Sequence, residues 1–160
     1  MNSQQLDLPA NYVSSSPEET YTLGKLIARM LGMGSVVALK GPLGAGKTCL
    51  AKGIASGLGI KEEVTSPSYA IVSEYDGFIP DRNNPQGKVS VHFYHIDAFR
   101  LGGNKDFSDI GGEEIVFGKG ISVIEWSERI QDFVPDDALT VDISIREDGK
   151  RDLSLYWRNA

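Results

Sequence analysis

A glycine-rich segment is the feature that most constrains how this chain can fold. Residues 41–48 read GPLGAGKT and fit the pattern G-x-x-x-x-G-K-[S/T] at every fixed position. The apolar run before the segment, SVVALK (35–40), predicts a strand that is buried on both faces of a parallel sheet. Apolar residues after the segment recur at helical spacing. Strand, glycine loop and helix follow in the order that a phosphate-binding loop requires, so the sequence predicts a site for the phosphates of a nucleotide.

The residue types of this segment suit that role. Gly44 and Gly46 permit backbone conformations and a close approach that a Cβ would hinder, so successive N–H groups can face an anion. Lys47 supplies a positive charge for the β- and γ-phosphates, and the Thr48 hydroxyl can bind Mg²⁺. We interpret the Cys49 thiol as a small buried apolar group rather than a reactive one. The candidate nucleotide-binding residues of the segment are Pro42, Leu43, Gly44, Ala45, Gly46, Lys47, Thr48 and Cys49.

Two strand-end carboxylates are candidates for the acid that such a loop needs beside its magnesium ion. VSVHFYHID ends at Asp97 and alternates in character, whereas the apolar run of GISVIEW ends at Glu125, as expected for a central buried strand. On this pattern we favour Glu125 as the acid on the magnesium side. Asp97 then lies nearby and acts through a metal-bound water or orients the attacking water, and the division of roles stays open. The candidate catalytic residues are Lys47, Asp97 and Glu125, and the candidate metal ligands are Thr48 and Glu125.

Thr65, Ser66 and Ser68 form a hydroxyl-rich loop ahead of a predicted strand at 69–75. Loops of this kind sense the γ-phosphate in nucleotide switches. Local Ser/Thr hydrogen bonds in an ordinary loop explain the composition almost as well. The following segment, 76–88, is predicted to be a polar connection between two strands, without chemistry of its own.

Histidines and a tryptophan flank the two carboxylates. His92 and His95 alternate with aromatic residues on the strand toward Asp97, and no cysteine or carboxylate lies at metal-ligand spacing around them. We therefore expect hydrogen-bonded histidines of the core or of the site edge instead of a zinc site. Trp126 follows Glu125 directly and is either a core aromatic or a side chain that stacks beside the site.

The remaining elements complete an α/β pattern. SPEET (16–20) is typical of a capping box at the start of a helix, residues 4–13 are a candidate edge strand, and alternating apolar residues over 139–157 predict a hairpin. The predicted fold is a P-loop NTPase-like three-layer sandwich, with a mixed, mostly parallel central sheet and an added antiparallel C-terminal hairpin. We expect one ATPase domain over residues 1–160.

Composition and missing motifs narrow the function. The net charge of −6, without a Lys/Arg cluster, argues against autonomous nucleic-acid binding. One cysteine, no apolar run of membrane length and no signal-like N-terminus predict a soluble, cytoplasmic protein without a membrane partner. A GTPase is disfavoured because NKDF (104–107) fails the guanine motif N-K-x-D at Phe107. A small ATPase that acts on a protein partner, a small-molecule kinase and a nucleotide-gated binding module without turnover remain open.

Four motifs together resemble the bacterial TsaE (YjeE) family. They are GPLGAGKT, SPSY, HIDAFRL and VIEWSERI, in this order and spacing, and the likeness covers nearly the whole chain. The resemblance implies the ATPase component of the machinery that makes threonylcarbamoyladenosine on tRNAs reading codons that begin with A. It implies ATP and Mg²⁺ as cofactors and the proteins TsaD and TsaB as partners, with tRNA reached indirectly through their complex.

The same resemblance carries roles over to single residues. Asp97 matches the family's site aspartate, Glu125 its metal-side or catalytic glutamate, and Trp126 the tryptophan beside it, so Asp97 and Trp126 join the candidate cofactor-binding set. Ser68 stands where the family more often has threonine, and Phe99 replaces a frequent tyrosine. Hydrolysis is then expected to be activated in the complex and to reset TsaD between rounds of modification.

Overall fold

The computed structural model describes residues 6–67 and 70–159, which form one mixed seven-stranded sheet with helices on both faces. The elements are β1 (Ala10–Ser14), α1 (Pro17–Ala28), β2 (Val36–Lys40), α2 (Lys47–Gly57), β3 (Val72–Pro80), β4 (Lys88–Asp97), α3 (Asn104–Asp109), α4 (Gly112–Val116), β5 (Ile121–Glu125), β6 (Leu139–Ile145) and β7 (Arg151–Trp157). A kinked 3₁₀ segment, Ser127–Phe133, connects β5 toward β6. No helix within these residues has the length and apolarity that crossing a bilayer requires.

The strands are arranged in the order β1-β7-β6-β2-β5-β4-β3. The four central strands, β6, β2, β5 and β4, are parallel to one another. The edge pairs β1–β7, β7–β6 and β4–β3 are antiparallel, so parallel pairs are confined to the centre and make up half of the sheet's pairs. The predicted C-terminal hairpin is confirmed, and β5 lies at the centre as its buried pattern indicated.

The two faces of the sheet have separate apolar cores. Val37 and Leu39 of β2 pack toward α1 and α2, whereas Val36 and Ala38 pack toward α3, α4 and the 3₁₀ segment. This alternation follows from the period of two in a β-strand. On the α1/α2 face, β4 presents Val91, Phe93, His95 and Asp97 in succession, and β5 presents Ile121, Val123 and Glu125. The apolar face thus becomes polar at the carboxyl ends of these two strands.

Helices α1 and α2 approach each other through glycines. A Cβ on Gly53 would lie 2.1 Å from the carbonyl oxygen of Tyr21, and one on Gly24 would lie 2.5 Å from that of Leu50. Only glycine permits this backbone contact. At the start of α1, the Ser16 hydroxyl accepts the N–H of Glu19 at 3.1 Å and Glu19 accepts the N–H of Ser15, which confirms the predicted cap. Helix α2 and the loop before it are therefore held against α1, whose N-terminus is capped.

Two predicted boundaries are wrong. The edge strand expected at 4–13 begins at Ala10, among the residues that the structure describes. The strand expected at 69–75 is Val72–Pro80, so the connection expected at 76–88 shortens to residues 81–87. Pairing with β4 and the hydrogen bond from the N–H of Phe78 to the carbonyl of Leu58 extend β3, and Pro80 is tolerated because β3 is an edge strand.

Candidate functional site

A cleft of ≈ 310 Å³ lies where the β2–α2 loop meets the carboxyl ends of β4 and β5. It is lined by Leu43, Gly44, Ala45, Gly46, Lys47, Thr48, Cys49, Ser66, Asp97, Phe99, Glu125 and Trp126. The structure thus brings together nearly all of the candidate site residues. Pro42 and Thr65 do not line the cleft, and Ser68 lies outside the described residues.

The loop itself depends on left-handed glycines. Gly44 has φ 79° and Gly46 has φ 107°, conformations that residues with a Cβ rarely adopt. Gly46 is the N-cap of α2 and supplies no side chain to the first N–H groups of the helix. These groups are free to bind an anion, which the helix dipole also favours.

Lys47 is buried beneath the loop and is held by it. Its Nζ donates hydrogen bonds to the carbonyl oxygens of Gly41 (2.6 Å) and Pro42 (2.8 Å), and it lies 4.2 Å from the centroid of the Trp126 ring. Burial lowers the pKa of Lys47 below its usual range, and the charges of Glu125, Glu128 and Asp97 oppose that shift. The ammonium group of Lys47 is therefore buried in a region of low dielectric constant, and its hydrogen-bond partners are neutral carbonyls.

Glu125 is the carboxylate that contacts the glycine-rich motif. The Thr48 hydroxyl lies 2.8 Å from Oε1 and 3.0 Å from Oε2 of Glu125, which is buried with 4% of its surface exposed. Because the hydroxyl proton points to the carboxylate, the lone pairs of the Thr48 oxygen remain for a cation. A hydroxyl and a carboxylate are hard oxygen ligands of the kind that Mg²⁺ prefers.

Few protein oxygen atoms are available as metal ligands beside Thr48 and Glu125. Among the described residues, no group of three or more His, Cys, Asp or Glu side chains could enclose a metal ion. Such a sparse ligand set fits Mg²⁺, which usually takes one or two protein ligands and completes its shell with water and phosphate oxygens.

Asp97 lies beside Glu125 but has different partners. The two residues are register partners in the parallel β4–β5 pair. Asp97 Oδ2 accepts the Ser66 hydroxyl at 3.2 Å, and Oδ1 accepts the N–H of Phe99 at 3.0 Å. The backbone N–H of Asp97 donates to the carbonyl of Ile71, a β-branched residue with φ 64°. The hydroxyl-rich loop is thus tied to Asp97 through a strained turn.

Trp126 separates the cleft from the second apolar core. It has φ 58°, and its ring contacts both the ammonium group of Lys47 and the Phe99 ring, whose centroid is 4.9 Å away. Both interpretations of Trp126 describe part of its environment, because the ring also packs against the core on the α3/α4 face. The only non-glycine residues with positive φ in the described ranges, Ile71 and Trp126, adjoin the two carboxylates.

Two residues that contact the site were not among the candidate residues predicted from the sequence. His95 is fully buried and its Nε2 lies 2.5 Å from Oε2 of Glu125. Arg151 of β7 donates from Nε to the carbonyl of Ala45 and from Nη2 to that of Gly44, both at 3.2 Å. The position of His95, two residues before Asp97 and therefore on the same face of the strand, could have indicated its role. No local sequence pattern indicates that Arg151 contacts the site.

Cys49 is not the fully buried residue that the sequence predicted, because its side chain is half-buried and lines the cleft, but its environment favours the protonated, unreactive thiol. Its Sγ lies 3.2 Å from the carbonyl oxygen of Pro17, and burial raises the pKa of the thiol. A raised pKa lowers the fraction of the reactive thiolate near neutral pH.

Known proteins resemble this chain along most of its length. The family model described as "Threonylcarbamoyl adenosine biosynthesis protein TsaE" matches residues 14–153. A protein of Treponema pallidum named "tRNA threonylcarbamoyladenosine biosynthesis protein TsaE" is 41% identical, over 89% of this chain and 97% of its own. The protein of that name from Bacillus subtilis is 36% identical, over 88% of this chain and 80% of its own.

A solved structure agrees with these matches. The crystal structure of Bacillus subtilis YdiB superposes with a TM-score of 0.71 at 31% identity, covering 91% of this chain and 83% of that one. The family match includes the glycine-rich loop, both strand-end carboxylates and strands β2 to β6. The chain therefore belongs to the TsaE family.

Proposed function

We propose that this protein is a Mg²⁺-dependent ATPase of tRNA threonylcarbamoyladenosine biosynthesis, built as a single P-loop NTPase-like domain. The observation that carries the proposal is the contact between the Thr48 hydroxyl and the Glu125 carboxylate at the start of α2. It joins the last residue of the glycine-rich motif to an acid at the end of the neighbouring parallel strand, as magnesium binding in P-loop NTPases requires. The names of the family model and of the relatives support the pathway.

The glycine-rich loop binds the phosphates of ATP. The N–H groups of Gly44, Gly46 and the uncapped first turn of α2 supply donors, and Lys47 supplies the charge, whereas the N–H of Ala45 donates to the Pro42 carbonyl. Lys47 exchanges the carbonyls of Gly41 and Pro42 for phosphate oxygens, because a charged acceptor forms the stronger hydrogen bond with an ammonium group. Thr48 and Glu125 would hold Mg²⁺, which would supply positive charge beside the phosphates.

The second carboxylate is suited to the attacking water. Phosphoryl transfer depends mainly on positioning and on electrostatic stabilisation. Asp97 faces the cleft, is half-buried, and keeps contact with Ser66 of the hydroxyl-rich loop. In the proposed mechanism Asp97 orients water toward the γ-phosphate, Glu125 stays on the magnesium side, and Ser66 links the state of the nucleotide to the loop at 65–67.

A second cavity gives room for the nucleoside. It measures ≈ 170 Å³ and lies between the β1–α1 turn, the glycine-rich loop and the turn of the β6–β7 hairpin. It shares Gly44, Ala45, Gly46 and Cys49 with the phosphate cleft. We place the ribose and adenine in this cavity, since it continues the path of a phosphate chain bound along the loop.

The mouth of the cleft suits a protein partner. Leu43 is 78% exposed and Phe99 is 42% exposed, so apolar side chains border a charged site. A partner that covers them gains apolar burial and excludes water from the phosphates. We assign this position to the TsaB–TsaD complex, in the cytoplasm, and we propose that ATP turnover supports repeated rounds of threonylcarbamoyl transfer to tRNA. The acidic net charge agrees with tRNA being bound by the partners.

The test is phosphate release from Mg·ATP and Mg·GTP, with and without purified TsaB–TsaD. We expect slow release from ATP alone, a clear rise with the partner pair, and little release from GTP. The Lys47→Ala protein should release phosphate about 10²- to 10³-fold more slowly than wild type and should not support repeated tRNA modification. Lys52→Ala, on the same helix, is the matched control.

Other outcomes decide between the alternatives. ATP consumption that leaves phosphate on an acceptor other than water would favour a small-molecule kinase. Tight nucleotide binding without turnover, even beside TsaB–TsaD, would favour a nucleotide-gated binding module. Unchanged turnover on adding the partner pair would contradict the coupled ATPase.

A further inference from the structure

We infer that His95 is a positioning residue that holds the Glu125 carboxylate in the orientation in which it accepts the Thr48 hydroxyl. The inference rests on the proposed function, because it assigns His95 a part in the same magnesium-side arrangement. The imidazole touches neither the loop nor the open cleft, so its effect must pass through Glu125.

The contact between the two side chains is short and buried. His95 Nε2 lies 2.5 Å from Glu125 Oε2, His95 has no exposed surface, and Glu125 is 4% exposed. A carboxylate has only acceptors, so we assign the ring proton at this contact to Nε2. Oε2 is then held from the β4 side, while the Thr48 hydroxyl approaches both carboxylate oxygens from α2. Donors on two sides fix the plane of the carboxylate.

The rest of the His95 ring has no polar role. Its Nδ1 is buried and has no hydrogen-bond partner among the described residues. The neighbouring positions on the same strand face, Val91 and Phe93, are apolar members of the core. An apolar side chain at position 95 would avoid burying an unpaired ring nitrogen. The contact with Glu125 is therefore the feature that explains an imidazole at this place.

Loss of the imidazole should affect turnover more than nucleotide affinity. Without His95, the Glu125 carboxylate keeps the Thr48 hydroxyl but can rotate about its last bond, so the Thr48 lone pairs are no longer aimed at one point. Phosphate binding by the loop and by Lys47 does not involve Glu125 directly. Mutation of a residue that orients a metal ligand typically lowers activity or metal affinity about 10- to 100-fold, and we expect an effect of about that size when His95 is replaced.

The activity test compares His95→Leu with His95→Gln. Gln offers an amide N–H near the position of Nε2, whereas Leu fills the space without a donor. In the presence of TsaB–TsaD, His95→Leu should lower kcat about 10- to 100-fold with a KM for ATP within about twofold of wild type. His95→Gln should recover most of the lost kcat. A kcat for His95→Leu within about twofold of wild type, or equal losses in two folded variants, would overturn the inference.

Two readouts do not depend on turnover. Mg²⁺ should strengthen ADP binding less in His95→Leu than in wild type, while ADP affinity in EDTA stays the same. The chain has two histidines, so ¹⁵N-histidine spectra contain one site signal and one control signal from the exposed His92. The His95 spectrum should show the proton on Nε2, and Glu125→Gln should shift that signal and leave His92 unchanged.

These readouts separate the two hypotheses and cover variants that fail to fold. If the wild-type protein binds Mg·ADP but releases no phosphate, the proposed function fails while the spectra and the Mg²⁺ effect still decide the role of His95. A wild-type spectrum with the proton on Nδ1, or a His95 signal that ignores Glu125→Gln, would overturn the inference whatever the turnover.

Discussion

The two sides of the cleft are held in different ways. On the strand side, which consists of Asp97 and Glu125 with the buried His95 behind them, the carboxylates accept hydrogen bonds from side chains of other elements or from the backbone after β4. On the loop side, which consists of residues 41–46 and Lys47, the ammonium group binds carbonyls of its own loop. The strand side has its acceptors in place without a ligand, whereas in the proposed function Lys47 on the loop side exchanges the carbonyls of Gly41 and Pro42 for phosphate oxygens.

Burial explains this difference. β5 is buried along its whole length and is paired with β2 on one side and β4 on the other, so the backbone that carries Glu125 is held from both sides. The loop combines left-handed glycines with an exposed Leu43, and its conformation depends on hydrogen bonds from Lys47 and Arg151. If ATP binds as we propose, a preorganised acidic side and an adaptable cationic side would allow phosphate to enter without disturbing Thr48 and Glu125.

The largest effect is expected for the loop side itself. Lys47→Ala removes the charge that phosphate takes over, so ATP turnover should fall about 10²- to 10³-fold and nucleotide affinity should fall with it. Phosphate release and titration with a fluorescent ADP analogue measure the two effects. If Lys47→Ala binds Mg·ADP as tightly as wild type, Lys47 does not exchange the loop carbonyls for phosphate. The proposed difference between the two sides of the cleft would then be wrong.

A loss of about 10²-fold in turnover is expected for Glu125→Gln. The amide keeps the shape of the side chain, but its NH₂ group faces a donor, either the Thr48 hydroxyl or His95 Nε2. ADP affinity in EDTA should change less than about twofold, because the phosphate donors lie on the loop side. Equal losses of affinity and turnover would mean that the two sides do not act separately.

A smaller effect is expected for Arg151→Gln. Arg151 donates hydrogen bonds to the carbonyls of Gly44 and Ala45 and thereby holds two peptide groups of the glycine-rich loop in position. Its loss should weaken ADP binding about tenfold, equivalent to one or two hydrogen bonds. Arg146→Gln is the matched control, since Arg146 belongs to the same hairpin and pairs with Asp148 and Asp152 at the surface. Equal affinities for the two variants would show that Arg151 does not shape the loop.

The smallest effect is a change in tryptophan emission. The Trp126 ring lies 4.2 Å from the Lys47 ammonium group, and movement of that charge toward phosphate should alter the fluorescence of Trp126. Trp157→Phe removes the one other tryptophan of the chain. Mg·ADP should then change the emission of the Trp157→Phe protein and leave the emission of the Trp157→Phe/Lys47→Ala protein unchanged. An equal response in both would trace the signal to another event.

Local patterns were sufficient to predict the loop side and the strand ends. The glycine-rich motif needs only consecutive residues, and the apolar run before Glu125 marks a central strand by itself. The adjacency of Asp97 and Glu125 followed from parallel neighbours ending at one edge of a sheet. The capping box of α1 is also local, and it was found where the sequence indicated.

Contacts between distant residues could not be read from these patterns. The pairing of His95 with Glu125 depends on strand register across 30 residues, and Arg151 reaches Gly44 across 107 residues. The length of β3 was underestimated because its polar alternation is explained only by pairing with β4. Side-chain partners at the site therefore depend on the tertiary arrangement, whereas residue types at the site depend on local chemistry.

The most direct test of the contrast between the two sides is a crystal structure with Mg²⁺ and a non-hydrolysable ATP analogue. In that structure, Lys47 Nζ should have left the carbonyls of Gly41 and Pro42 for phosphate oxygens. Thr48, Glu125 and His95 should keep their present contacts. A structure in which Glu125 turns away from Thr48 and His95, while Lys47 stays on the loop carbonyls, would contradict this prediction.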